Sequence, residues 1–151
     1  MLEIRHCAVE EFFAHPDSSV VLAEYAAESG VDGLPPPHPH KPTYLMLEQA
    51  GSLRVIAAHQ GERMVGFITL LIYLNPHYSA LIGVSESFFV RPEYRKTGAG
   101  MRLLRYTEAA AGEAGAVGLL MSAPKDSRLA DVLDALDDYR EAHRIFFRPL
   151  P

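Results

Sequence analysis

Between residues 90 and 101 the chain reads Val90-Arg91-Pro92-Glu93-Tyr94-Arg95-Lys96-Thr97-Gly98-Ala99-Gly100-Met101, an order suited to holding an anion. An apolar strand ends at Val90, Pro92 prevents its continuation, and a glycine-containing turn leads into a helix. The first amides of a helix have no internal acceptor and lie at the positive end of its dipole. Glycines at 98 and 100 remove Cβ atoms from the approach, and Arg95 and Lys96 add positive charge beside it. The chemistry this suits is the binding of a diphosphate. The competing reading is an ordinary strand-to-helix turn, with glycines for packing and basic residues facing solvent. Strand, proline, basic pair, glycines and helix in one order favour the anion.

The elements that must position this loop can be read along the chain. Leu2 to His6 alternates as a short strand, and Val9 to His15 and Asp17 to Ser29 read as helices separated by Pro16. Gly33 to Pro42, rich in proline, is an exposed loop that cannot supply the donors of a ladder, and Thr43 to Ala50 reads as one more short helix. Strands follow at Leu53 to His59, Met64 to Leu74 and Ala80 to Val90, joined by turns at Gln60-Gly61-Glu62-Arg63 and Asn75-Pro76-His77. Gly98 to Ala114 is predicted helical, with Met101, Leu104, Thr107 and Ala111 spaced to face a sheet. Val117 to Met121 reads as a buried parallel strand, Pro124 to Asp137 as a helix, and Arg144 to Arg148 as a closing strand. The order predicts a mixed α/β fold in one domain spanning residues 1–151.

Composition narrows the function classes. A chain of 151 residues suits one core, and 48% hydrophobic with 22% charged residues is ordinary for a folded soluble domain. The formal net charge of −5 argues against gripping nucleic-acid phosphates. The longest apolar stretch, Val65 to Leu74, is too short to span a bilayer as a helix, so no membrane partner is expected. A single cysteine, Cys7, and no signal-peptide pattern point to the reducing cytoplasm. His38 and His40 flank Pro39 without cysteine or carboxylate partners, so no metal is expected. The Asp131, Asp134, Asp137, Asp138 and Glu141 run reads as a solvated helix face, or as an attractor of a cationic acceptor.

Arg95-Lys96-Thr97-Gly98-Ala99-Gly100 resembles the Arg/Gln-x-x-Gly-x-Gly/Ala signature of the GNAT family of N-acetyltransferases, and Val90-Arg91-Pro92-Glu93-Tyr94 is similar to its strand-to-loop lead-in. The likeness runs from about Leu53 to the C-terminus, and among subgroups it is to phage-associated members. It implies a mostly antiparallel mixed sheet, splayed open after the strand ending at Val90, with helices on both faces. It further implies acetyl-CoA as cosubstrate, its pantetheine arm against the backbone of Phe88, Phe89 and Val90. Its pyrophosphate would lie on the amides of Arg95, Lys96, Thr97, Gly98, Ala99, Gly100 and Met101. Ser127 stands where the family usually has an asparagine, and Asp134 where it has the tyrosine that protonates the leaving thiolate. An aspartate ionised at neutral pH is a poor acid there, although a thiol of pKa about 8.5 leaves tolerably without full protonation.

Acetyl transfer to an amine also needs a route for the amine's proton. Glu86 lies four residues before Val90 on the strand that the acyl group would run beside, and is the candidate base. Alternation puts Glu86, Phe88 and Val90 on one face, which leaves a solvated edge position as the other reading. His77, Tyr78 and His143 are further polar candidates, and Tyr139 is an alternative phenol. The expectation is a direct-attack N-acetyltransferase acting on a primary amine of a small molecule or peptide, with the final strand as the place where a homodimer would form. The alternatives are a coenzyme A-binding module without catalysis, or a regulatory domain for another nucleotide. Tyr25, Tyr44 and the proline loop are expected to set the acceptor.

Overall fold

The computed structural model describes residues 1–151. Strand β1 (Leu2–Cys7) is followed by helices α1 (Val9–Ala14), α2 (Ser18–Ser29) and α3 (Lys41–Gln49). The meander β2 (Leu53–Gln60), β3 (Arg63–Asn75) and β4 (Ala80–Val90) leads through a 3-10 turn, Pro92–Tyr94, into α4 (Ala99–Glu113). A two-residue strand β5 (Leu119–Leu120) and helix α5 (Arg128–Ala135) complete the elements. The sheet order is β1-β2-β3-β4-β5, antiparallel through β4, with β5 parallel to β4.

Helices cover both faces of this mixed, mostly antiparallel sheet, as expected. That is why β2 and β3 carry apolar residues at successive positions instead of alternating ones. Ile56, Ala58, Val65, Ile68 and Leu70 pack with Ala99, Leu103, Ala110 and Ala111 of α4. Val55, Ala57, Met64, Phe67 and Phe89 pack with Val9, Phe12 and Val21 of α1 and α2. The α4 stripe differs slightly from the predicted one. Leu103 and Ala110 join Leu104, Thr107 and Ala111 in the core, while Met101 at the first turn is half-buried.

The C-terminal third is less regular than its sequence suggests. The expected strand Val117 to Met121 is reduced to Leu119–Leu120, and α5 is shorter than Pro124 to Asp137. Arg144 to Arg148 is not a strand: it lies in an arm without ladder partners, with Ile145 and Phe146 each 88% exposed. A strand needs a neighbouring edge to satisfy its backbone, and no strand of this chain flanks that segment.

Two irregularities in β4 matter most. Its parallel pairing with β5 covers only Gly83 and Val84, flanked by links from the Val117 amide to Leu81 O at 2.9 Å and from the Ser122 amide to Ser85 Oγ at 3.0 Å. From Glu86 to Val90, a length of about 15 Å, its outer edge therefore faces an opening. The second is a bulge: Thr69 pairs with Ser87 and Leu70 with Ser85, so Glu86 is the extra residue.

One core residue makes the fold acid-sensitive. His59 on β2 is 5% exposed, neither ring nitrogen has a hydrogen-bond partner, and its ring centroid lies 5.4 Å from that of His15. Burial, then the charges of Arg5 and His15, push its pKa below the ordinary histidine value. The unfolded chain thus takes up a proton more readily than the folded one. Stability is full above pH about 6.5 and falls as pH drops from there toward the folded-state pKa. Urea titrations at pH 7 and pH 5 are expected to show a smaller acid loss for His59→Leu than for wild type. Equal losses would mean other groups govern the acid limb.

Candidate functional site

The bulge decides which way Glu86 points. Without it, Glu86 would share a face with Phe88 and Val90, as the alternation predicts. With it, Phe88 and Val90 lie on the α4 face, while Glu86 and Ser87 turn to the α1–α3 face beside Phe89. There the Tyr44 hydroxyl donates to Glu86 Oε1 at 2.8 Å and the Thr69 hydroxyl donates to Oε2. Because the Thr69 hydrogen is used on Glu86, Ser87 supplies the hydrogen of the short Ser87–Thr69 bond. Tyr44 stays a donor, since burial and then the Glu86 charge push its phenol well above the ordinary tyrosine value. The carboxylate nevertheless remains exposed. Tyr44 belongs to the region expected to set the acceptor, whereas nothing local in the sequence marked Thr69 or Ser87 as partners.

The bulge also orients the backbone. The Arg91 amide bonds Val65 O at 2.8 Å, so by strand alternation Phe89 and Ser87 turn their backbone groups toward β3. Phe88 and Val90 then present theirs to the opening beside β5. The Val90 carbonyl is taken by Arg95 Nε at 2.8 Å, which leaves the Val90 amide and both Phe88 groups available.

At the end of β4 the chain builds an amide cradle. Gly98 caps α4 with φ +85° and ψ 3°, a left-handed conformation that glycine adopts without strain. The first bond back to the loop is Arg102 N to Gly98 O at 3.1 Å, and Ala99 N is held by Thr97 Oγ1 at 3.3 Å. The amides of Lys96, Gly98, Gly100 and Met101 have no intramolecular acceptor. A Cβ on Gly98 would meet nothing within 4 Å, and one on Gly100 only Val90 Cγ2 at 3.8 Å and Phe88 Cζ at 4.0 Å. Free donors beside open space at a helix N-terminus are the geometry that a diphosphate fits.

The basic residues divide differently from expectation. Arg95 is committed to the protein: besides Val90 O it pairs with Glu28 at 2.6 Å and stacks 5.4 Å from the Phe89 ring centroid. Arg91 is 6% exposed and forms a bidentate pair with Glu24, both bonds at 3.1 Å. The two pairs, Glu24 with Arg91 and Glu28 with Arg95, tie α2 to the loop. Lys96 is exposed and forms no ion pair. Arg128, a residue the sequence did not mark, sits at the start of α5 with Nη2 3.5 Å from Arg95 O and has no carboxylate partner.

Other candidates fall outside this group. Ser127 caps α5, its Oγ accepting the Ala130 amide at 3.1 Å. Asp134 is exposed on α5. Tyr139 is not a core residue: it donates to Glu108 of α4 at 3.0 Å, and its pKa is raised by burial and that carboxylate. His77 and Tyr78 pack edge to face at the β3–β4 turn, at the far end of β4 from Val90, and His143 lies in the exposed arm. His40 bonds Thr43, and no three His, Cys, Asp or Glu side chains cluster as metal ligands. No helix is long and apolar enough to cross a membrane. A hollow of about 380 Å³ between β2 and the second half of α4, lined by His6, Arg54, Tyr106 and Glu113, lies on the face away from Glu86.

The chain is similar to known acetyltransferases over most of its length. Residues 51–148 match the acetyltransferase (GNAT) domain family. The chain is similar to an aminoglycoside N(6')-acetyltransferase type 1 of Acinetobacter genomosp. 13, 23% identical over 105 residues, which cover 68% of this chain and 72% of that protein. Its fold is similar to an aminoglycoside acetyltransferase from an uncultured soil metagenomic sample, with TM-score 0.76, 17% identity, and coverage of 97% and 94%. It also resembles AAC(6')-Iy in complex with the bisubstrate analog CoA-S-monomethyl-acetylneamine, with TM-score 0.69, 19% identity, and coverage of 98% and 97%.

Proposed function

Because the chain belongs to the GNAT acetyltransferase family, it is an acyltransferase enzyme, and we propose that it moves the acetyl group of acetyl-CoA directly to a primary amine with Glu86 as base. The observation that carries this reading is the pairing of an amide cradle at Gly98–Met101 with an exposed carboxylate farther back on the same strand. In this reading the Lys96 ammonium, the Arg128 guanidinium and the free amides hold the pyrophosphate. The Phe88 and Val90 backbone edge holds the pantetheine arm, Phe89 supports it from the core, and Ser127 shapes the start of α5. The neutral amine attacks the thioester carbonyl, a C–N bond forms, the C–S bond breaks, and the nitrogen's proton goes to Glu86, directly or through water. The thiolate leaves without a dedicated acid, since the exposed Asp134 stands where the family has its phenol.

Helices α1–α3 pack on the same sheet as the matched region, which supports residues 1–151 as one domain. The exposed Ile145, Phe146 and Leu150 support a homodimer, which sedimentation would register. Buried Cys7, its thiol pushed up to about 12 chiefly by burial, is compatible with the cytoplasm and with a reaction lacking a cysteine nucleophile.

Thiol release from acetyl-CoA across a panel of amines tests the reading. Amine-dependent release is expected, and binding of acetyl-CoA without release to any amine would instead favour a coenzyme A-binding module. The basic residues give a sharper check. Arg95→Ala is expected to weaken acetyl-CoA and acetyl-pantetheine alike, because Arg95 shapes the loop through Val90 and Glu28. Lys96→Ala and Arg128→Ala should weaken acetyl-CoA about two- to fivefold and leave acetyl-pantetheine unchanged, as for exposed charges. Loss confined to acetyl-CoA in Arg95→Ala would place that guanidinium on the phosphates.

A further inference from the structure

The bulge in β4 brings three side chains onto one hydroxyl. In an unbroken ladder two successive residues point to opposite faces of the sheet. Here Glu86 and Ser87 both reach the hydroxyl of Thr69 on β3, because Glu86 is the extra residue beside the Thr69–Ser87 pair. That hydroxyl has one hydrogen, which it gives to Glu86 Oε2, while its oxygen accepts from Ser87. Thr69 and Ser87 are both buried, so neither hydroxyl has solvent to turn to. The branched side chain of Thr69 is also restricted at χ1.

The two oxygens of Glu86 are therefore held unequally. Its carboxylate is bonded by two hydroxyls and by no cation, so these two bonds are what orient it. Tyr44, the donor to Oε1, stands on α3 at the end of a long side chain and is only half-buried. Its hydrogen can turn toward solvent when Oε1 changes state. The Thr69 hydrogen has no such freedom, because the other oxygen bonded to it already directs a hydrogen at it. A proton arriving at Oε2 would crowd two hydrogens into one contact. A proton arriving at Oε1 asks only that Tyr44 turn aside.

From this we infer that Thr69 is the positioning residue of the base: it fixes Glu86 Oε2 and leaves Oε1 to take the proton of the attacking amine. As the C–N bond forms, the N–H bond breaks, its electron pair stays on nitrogen and the O–H bond forms at Oε1. Tyr44 releases its bond to Oε1 in that step. The inference rests on the transfer reading above, and adds which oxygen works and what aims it.

The test uses the full chain with whichever amine of the acceptor panel is turned over fastest. Thr69→Val removes the hydroxyl and keeps the branched shape. It is expected to lower kcat about ten- to a hundredfold, more than Tyr44→Phe does, with KM for acetyl-CoA within about twofold. Thr69→Ser keeps the hydroxyl and should hold kcat within about threefold of wild type, a rescue that a packing role for the threonine methyl would not give. Thr69→Val alone strands the buried Ser87 hydroxyl. The double variant Thr69→Val, Ser87→Ala removes both polar groups, and should unfold near the wild-type temperature while remaining as slow as Thr69→Val. Crystal structures with coenzyme A supply a readout that needs no acceptor. Glu86 is expected in one orientation in wild type and Thr69→Ser, and turned away or in several orientations in the double variant. A smaller loss in the double variant than in Tyr44→Phe, no rescue by Thr69→Ser, or an unmoved Glu86 in the double variant overturns the inference. A displaced Glu86 in a protein that releases thiol to no amine upholds the positioning and overturns transfer alone.

Discussion

Glu86→Gln is expected to lower kcat by about 10²–10⁴-fold while KM for acetyl-CoA stays within about twofold. The glutamine keeps the length and shape of the side chain but has only one accepting oxygen and no charge, so it cannot take a proton. The cofactor half of the site is left intact, because the free amides of the cradle lie ten or more residues along the chain and the Phe88 and Val90 backbone faces the opening, while the Glu86 side chain turns to Tyr44 and Thr69. Tyr44→Phe provides the graded comparison. It removes the 2.8 Å bond to Oε1 but leaves the Thr69 bond to Oε2, so the carboxylate remains charged and held at one oxygen. A loss of about tenfold or less is expected there. Full activity in Glu86→Gln would hand the proton to water. Equal losses in the two variants would mean that position, not basicity, is what Glu86 contributes.

The second large effect is expected at Gly100. Gly100→Val should weaken acetyl-CoA by about thirtyfold or more, near 2 kcal/mol, while Gly100→Ala stays within a factor of about three. A methyl at this position meets only ordinary contacts from Val90 and Phe88, whereas the two γ-carbons of valine extend toward the free amides of the helix start. Gly98 is the less informative site even though its Cβ would point into open space. At φ +85° a branched residue is strained in its own backbone, so Gly98→Val would disturb the loop whether or not a phosphate binds there. Calorimetric titration of both Gly100 variants, with thermal unfolding to verify the fold, decides the point. Equal binding by the valine and alanine variants would remove the diphosphate from this cradle.

How much of this was legible beforehand depended on the range of the interactions. The cradle was, because its parts are local: a proline that stops a strand, a glycine that takes a left-handed φ, and helix amides left free by geometry. The role of Arg95 was not. Its charge is matched by Glu28, 67 residues away, and only the packing of α2 against the loop brings that carboxylate within 2.6 Å. The reverse holds for Arg128, which looks like an unremarkable first helical residue until α5 docks beside the loop.

Glu86 shows the same division within one side chain. Its identity and its place four residues before Val90 came from the sequence, and so did the strand that carries it. Its direction did not, because a period-two reading assumes an unbroken ladder. The bulge opposite Thr69 and Leu70 adds one residue and reverses the face of everything before it. The C-terminal strand failed for a related reason: Arg144 to Arg148 has suitable residues, but a strand exists only where another edge receives it. The sequence by itself determined the helices, the meander and the amide cradle, since propensity, turn chemistry and helix termini act over a few residues. The tertiary structure alone decided where Glu86 points, which cations stay free and how far β4 stands open, since each depends on partners brought together from distant parts of the chain.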